Sequence, residues 1–429
     1  MVGKEKITNA NSFPKDWPIK KLADIGSTYG GLTNKSKEDF AEGNSKFITY
    51  KNIYNNTFIN TNELESVRIY KDEKQNKVKY GDVFFTGSSE TPDEVGISSV
   101  LLEEVDDVYL NSFCFGFRFN DLKKTIPEFY GYYFRGPVFR NEVYPLAQGS
   151  TRFNLSKSEM IKLKVPVPPV KEQYKIAAIL SSVDEAIEKT KAIIEQTEKV
   201  KKGLMQQLLT KGIGHTKFKK TEIGEIPEEW EVLEVADVAK TTSGGTPSRN
   251  NPEYFNGSIP WIKTGELKEK YIYDTEEKIT EEAVKNSSAK LVPKNSVIVA
   301  MYGATIGNVS INKIDATTNQ ACCVVIPQKE RLNDEFLYYL LAFWKEKLIK
   351  LGAGGAQPNI SQQIIKNLLI PMPSLKEQME IANILAILDK KIQNEKKKFD
   401  SLSNLKKGLM QALLTGKVRV KVDNEVMSQ

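Results

Sequence analysis

The chain predicts two mixed α/β globular domains separated by two long helices that form an antiparallel coiled coil, an α+β architecture with a pseudo-twofold internal repeat. Three observations carry this. The stretch from Pro166, PVPPVKEQYKIAAIL, recurs from Pro371 as PMPSLKEQMEIANIL, and the KKGLMQQLLT that closes the first copy recurs as KKGLMQALLT. Pro166 with Pro371, Gln173 with Gln378, Asp184 with Asp389 and Gly203 with Gly408 all keep one separation, so the register never slips along the repeat. The third observation is a contrast. The segments preceding the two helices are also related, but loosely.

The helical assignment rests on apolar spacing. Ile176, Leu180, Val183, Ile187, Thr190, Ile194 and Thr197 step alternately by four and three, as do Ile381, Leu385, Leu388, Ile392, Glu395, Phe399 and Leu402. That is a heptad seam, narrow enough for one partner helix. Thr190 and Glu395 occupy one seam position as polar register markers, and the flanks are Lys and Glu. A helix over 171–210 would be roughly 60 Å long.

In the globular segments, Trp17 answers Trp230, Gly30-Gly31 answers Gly244-Gly245, Asn111 answers Asn319 and Asn154 answers Asn359. The separation drifts along them, so insertions and deletions lie inside. Val83–Thr86 and 297–301 read as buried strands, and Phe113, Phe115, Phe117 and Phe119 alternate with period two. The segment 334–350 reads as one amphipathic helix, with 128–134 as its counterpart. The expected domains are 1–165, 216–370, a central helical segment 166–215, a C-terminal one 371–421 and a tail 422–429. The order globule, helix, globule, helix returns the second helix along the first. Two similar but non-identical jaws on a caliper suit duplex DNA with two spaced, inverted and unequal half-sites.

Composition sets bounds. The 429 residues carry 61 Lys+Arg against 55 Asp+Glu, a net +6 that permits nucleic acid without demanding it. Cys114, Cys322 and Cys323 form no ligand pattern and His215 is the sole histidine, so a metal site is not expected. The polar N-terminus lacks a signal-peptide core and no apolar run spans a bilayer, which predicts a cytoplasmic chain with no membrane partner.

The paired PVPPVKEQ/PMPSLKEQ and KKGLMQ segments, with GGTPS and IPWIKTGEL opening the second globule, resemble the DNA specificity subunit of type I restriction-modification systems. The resemblance covers nearly the whole chain. It implies two target-recognition domains, each reading half of a bipartite sequence in double-stranded DNA. It also implies helices that space them and dock two methyltransferase subunits, with restriction (translocase) subunits joining. Catalysis would belong to those partners, which would use S-adenosylmethionine, ATP and magnesium; this chain would carry no cofactor. The first globule departs from GGTPS, having GGLTN at Gly30.

Several fragments mimic catalytic motifs without completing them. Asn251-Pro252-Glu253-Tyr254 lacks the second proline of an amino-methyltransferase motif, and no GxxxxGK[S/T] loop is present. Pro252-Glu253 with Glu266-Leu267-Lys268 only mimics a nuclease metal site. His215 is expected to be solvated, and Cys322-Cys323 to be core. Candidate DNA contacts are side chains of base-reading or phosphate-binding type in the equivalent loops. They are Gln148, Ser150, Thr151, Arg152 and Asn154 against Gln357 and Asn359, then Ser248, Arg249, Lys263 and Thr264, with Lys51 and Asn52. Divergent positions such as Arg152 are the better specificity candidates, while Asn154 and Asn359 equally suit a turn. The helix glycines Gly203 and Gly408 predict close approach of the other helix or of a docked subunit. The competing readings are a coiled-coil scaffold binding protein or glycan, and a self-sufficient methyltransferase or nuclease.

Overall fold

The computed structural model describes residues 13–353 and 359–422. The chain packs as two compact units, one of residues 1–191 with 397–429 and the other of 192–396. Each unit therefore holds one globular segment, half of the first long helix (Val170–Lys211) and half of the last (Leu375–Leu413).

In the first unit a four-stranded antiparallel sheet runs in the order Gly26–Gly30, Cys114–Phe119, Val83–Thr86, Ser98–Val100. Val83–Thr86 is buried on both faces, as its unbroken apolar run requires. Cys114–Phe119 is also almost wholly buried, so its alternation reflects two apolar faces rather than one wet one. Gly116 stands where an added Cβ would lie 2.1 Å from the Tyr29 ring, which explains the glycine inside the strand. Phe113 falls outside the strand and is 53% exposed. The helix Pro127–Arg135 buries Phe129, Tyr130, Tyr132, Tyr133 and Phe134 against this sheet. A three-stranded sheet of Glu65–Val67, Ser45–Ile48 and Val108–Leu110 lies beside a small one of Ala147–Gln148, Phe153–Leu155 and Ser88–Ser89.

The second unit repeats the plan with five strands, in the order Ala239–Ser243, Cys322–Pro327, Val297–Ala300, Val309–Asn312, Tyr271–Ile272. Cys322 and Cys323 are buried in it, and desolvation pushes the Cys323 thiol up to about 12. The stretch expected as one helix over 334–350 is two, Asp334–Phe343 and Lys345–Leu351, broken at Trp344. The break lets both short helices bury an apolar face, Leu340 and Leu341 before it and Leu348 after it.

None of the apolar seam positions is exposed, but they are covered unequally. Ile176, Leu180, Ile381, Leu385 and Ile392 are buried, and Val183, Ile187, Ile194, Leu388, Phe399 and Leu402 are half-buried. Thr190 and Thr197 are buried without an unpaired hydroxyl, because each donates to the carbonyl one turn back (Ala186 at 2.7 Å, Ile193 at 2.6 Å). The half-helices run antiparallel within each unit. In the first, Glu172 meets Arg419 and Asp184 meets Lys406; in the second, Glu198 meets Lys396 and Lys201 meets Asp389. The first helix stops at a left-handed glycine, Gly212 (φ +64°), and the turn that follows the last one ends at another, Gly416 (φ +67°). Among the described residues no helix is long and apolar enough to cross a membrane.

Candidate nucleic-acid interface

In the first unit, two loops and a hairpin converge. Thr49 caps the helix Tyr50–Asn55 by accepting from Asn52 N at 3.1 Å. Asn52 itself is 1% exposed, donating to Asn60 O (2.8 Å) and accepting from Asn60 N (3.1 Å) and Asn56 Nδ2 (3.0 Å). That corrects its assignment as a DNA contact: its amide is spent bracing the loop that follows. Lys51, one residue earlier, is exposed. Asn111 does similar work, donating to Ile48 O and accepting from Phe113 N, which presents the Phe113 ring outward.

The hairpin joins Ala147–Gln148 to Phe153–Leu155, and Asn154 pairs across to Ser88. Gly149 (φ +139°) makes the turn possible, since a Cβ there would sit 2.0 Å from Arg152 O. Gln148, Ser150, Thr151, Arg152 and Asn154 are all exposed on it. Asn154 Nδ2 donates to Arg152 O at 3.3 Å, a turn role. The Arg152 guanidinium lies 5.1 Å from the Phe113 ring centroid, and both line a cleft with Tyr50, Glu90 and Glu94.

In the second unit the equivalent cations are differently placed. Arg249 lies 4.1 Å from the Phe255 centroid and pairs with Glu277 at 2.6 Å; Lys263 Nζ reaches the other oxygen of Glu277, also at 2.6 Å. These cations, Arg249 first, hold the Glu277 carboxyl below its ordinary range. Ser248 is exposed, while Thr264 is half-buried where a short turn begins. The Gly244-Gly245 loop is packed rather than presented: a Cβ on Gly244 would lie 1.9 Å from Thr318 O, and Trp261 Nε1 donates to Gly245 O. Asn359 is exposed and its backbone N–H donates to Gly352 O; Gln357 lies outside the described residues. Two of the decoy residues have structural roles. Asn251 caps the turn Pro252–Phe255, and Glu266 accepts from Lys263 N and Glu276 N.

Glu277→Gln is expected to release Arg249 toward phosphate, while Lys263 keeps its second partner Glu276 at 3.5 Å. Binding to DNA of any sequence should tighten at low salt, and the salt dependence of log K should steepen by about one per cation freed. An unchanged slope in a salt titration refutes this. The depressed carboxyl keeps the network intact above the usual carboxylate range. It is lost only as pH falls through the depressed value.

Sequence reasoning missed the residues that tie each globule to the helices. In the first unit Tyr132 donates to Asp184 (2.9 Å), which also pairs with Lys406 (2.6 Å). In the second, Tyr339 donates to Asp389 (2.6 Å), which pairs with Lys201 (2.5 Å). Gln173 is fully buried, accepting from Ile126 N and donating to Lys124 O and Pro168 O; Gln378 does the same with Asn333 N, Arg331 O and Pro373 O. The EQ of each repeat is thus a buried bracket between helix start and globule. Its Glu is a second one. Glu172 binds Arg419, which also holds Asp16, and Glu377 accepts from Trp230 Nε1 (3.0 Å) and Ile213 N (2.9 Å) and contacts His215 Nε2 (2.9 Å). His215 is therefore not solvated as expected. The matched spacing of these pairs was the available signal. Gly203 and Gly408 are exposed, with open space where a Cβ would go, so no neighbouring helix accounts for them.

The family profile described as type I restriction modification DNA specificity domain matches twice, over residues 14–199 and 227–404. The chain belongs to that family. It is a non-catalytic family, and target recognition on DNA is its work. The putative type I restriction enzyme MjaX specificity subunit of Methanocaldococcus jannaschii is 29% identical over 424 residues, 97% of each chain. The EcoR124I/EcoR124II specificity subunit of Escherichia coli is 30% identical over 254 residues, covering 56% of each. Among solved structures, the type I S subunit of M. genitalium superposes with a TM-score of 0.57 at 16% identity, covering 96% of this chain and 99% of that one. A second structure, from work on assembly and conformational transition of a type I system, gives a TM-score of 0.59 at 14% identity, with 95% and 99% covered. Both share the fold of this chain.

Proposed function

We propose that each globular domain of this specificity subunit reads one half of an asymmetric bipartite DNA site, and that the two long helices set the spacer and dock two methyltransferase subunits, with restriction subunits joining in the cytoplasm. The observation that carries the reading is the contrast between constant helices and divergent presentation loops. The Tyr–Asp–Lys and Gln brackets are the same in both units, whereas Arg152 lies on an exposed ring and Arg249 is tied to Glu277. Identical mounting with different reading surfaces suits two half-sites of different sequence.

The outer helix faces support docking. Tyr174 and Met379 are exposed at one repeat position, Val200 and Leu405 at another, and Gly203 and Gly408 three residues on. An exposed helix glycine costs about 1 kcal/mol relative to alanine, and a flat patch for a partner offsets that cost. Gly203→Leu is expected to fold normally, because its Cβ enters open space, and to weaken co-purification with the methyltransferase at least tenfold. Wild-type assembly by this variant refutes the docking role.

The deciding experiment is methylome sequencing of cells expressing the chain with its methyltransferase. A split motif with a fixed unread spacer, lost when this chain is deleted, is the expected result. Methylation that persists without the chain, or a continuous motif, favours the protein-scaffold alternative.

A further inference from the structure

We infer that Arg152, laid on the exposed ring of Phe113, is the base-reading fork of the first recognition domain and takes the major-groove edge of a guanine. The assignment rests on the bipartite reading above and adds to it a residue and a base.

Four observations converge on it. Arg152 is exposed at the tip of a hairpin whose shape depends on Gly149. Its guanidinium is held 5.1 Å from the Phe113 centroid, and among the described residues no carboxylate forms an ion pair with it. A planar fork immobilised on an aromatic face, with its donors unspent, is pre-organised for bidentate contact. The third observation is the ring itself. Phe113 is 53% exposed in a chain that buries most of its phenylalanines, and the buried Asn111 orders the turn that presents it.

The fourth observation separates base from phosphate. Glu90 and Glu94 line the same cleft as Arg152. Glu94 accepts from Ser89 Oγ (2.5 Å) and Tyr54 Oη (3.2 Å), and these bonds, Ser89 first, keep its carboxyl below the ordinary range, so it is ionised at neutral pH. An anionic phosphate brought to Arg152 would meet those carboxylates and be repelled. A base edge is neutral. Guanine O6 and N7 match the arginine fork, and a carboxylate acceptor beside it suits the amino group of cytosine. The second domain lacks this arrangement, because Glu277 already occupies Arg249.

The test uses the full chain assembled with its methyltransferase, acting on DNA randomised at both half-sites. With Arg152→Ala, one guanine of one half-site should lose its preference by about 5- to 150-fold, while the other half-site stays unchanged. Arg152→Lys should lose it too, because lysine keeps the charge but not the fork. Uniformly weaker methylation with the motif intact would mean a phosphate contact and overturn the assignment, and full guanine preference in Arg152→Lys would overturn the fork as the reading group. A wild-type chain giving no split motif would overturn the bipartite reading, and this assignment with it.

Discussion

Replacing Arg135 by alanine is expected to lower the first unfolding transition by roughly 10 °C and to abolish reading of one half-site while sparing the other. Arg135 ends the helix Pro127–Arg135 and donates to four carbonyls: Ser98 O (2.5 Å), Tyr54 O (2.8 Å), Asn56 O (2.9 Å) and Ile53 O (3.2 Å). Burial pushes its guanidinium down to about 10, which still leaves it charged at neutral pH. Without it those acceptors lose their partner inside the fold, at about 1–3 kcal/mol for each left unsatisfied. Because neighbouring losses do not add fully, a total of about 3–5 kcal/mol is expected, at 2–4 °C per kcal/mol for a unit of this size. Lysine should not rescue the protein, since one ammonium cannot span four acceptors in a plane. The functional loss follows from position. The carbonyls of Ile53 and Tyr54 belong to the helix Tyr50–Asn55, whose Tyr50 lines the cleft that holds Arg152. Calorimetry of the variant, with methylation of substrates altered in one half-site at a time, checks both parts. A transition within 2 °C of wild type would show the bracket to be dispensable.

Much of this fold was legible because it is written twice. A repeat that keeps register over more than forty residues, with apolar steps of four and three, leaves little choice but paired helices, and the apolar seam positions are buried or half-buried. The brackets were visible as matched letters but not as contacts. Gln173 and Gln378, or Asp184 and Asp389, look like surface polar residues until their partners are placed. The site was less legible for the same physical reason. Asn52 and Arg249 have side chains suited to DNA, yet Asn52 is turned inward to hold Asn60 and Arg249 is shared with Glu277. Residue type names what a group can bind. Only the fold shows whether something already holds it. His215 makes the same point, since its partner Glu377 is 162 residues away in the chain. Phe113 misled in the opposite direction: its place in a period-two run read as strand, but the strand begins one residue later and leaves the ring in solvent.

Inserting one heptad into each long helix, after Lys191 and after Lys396, should lengthen the spacer of the methylated motif by about three base pairs and leave the bases of both half-sites unchanged. These points fall where the chain passes from one compact unit to the other, so neither globule nor its Tyr–Asp–Lys bracket is touched. Seven residues add about 10 Å at 1.5 Å each, which is about three base pairs at 3.4 Å. A whole heptad keeps the seam apolar on one face, whereas an insertion of two or five residues would turn Ile194 and Ile392 to solvent and should prevent assembly. The rate should fall as well. Three base pairs turn B-DNA by roughly 100°, given 10–10.5 base pairs per turn, while a heptad rotates a helix face by only about 20°. The longer site must therefore be untwisted or overtwisted to meet both domains, and that deformation costs binding energy without changing which bases are read. Spacer length would then track helix length and base identity would track the loops, as expected if the constant helices measure and the divergent loops read. A changed half-site sequence, or an unchanged spacer in a variant that still methylates DNA, would separate helix length from spacing and sink the caliper.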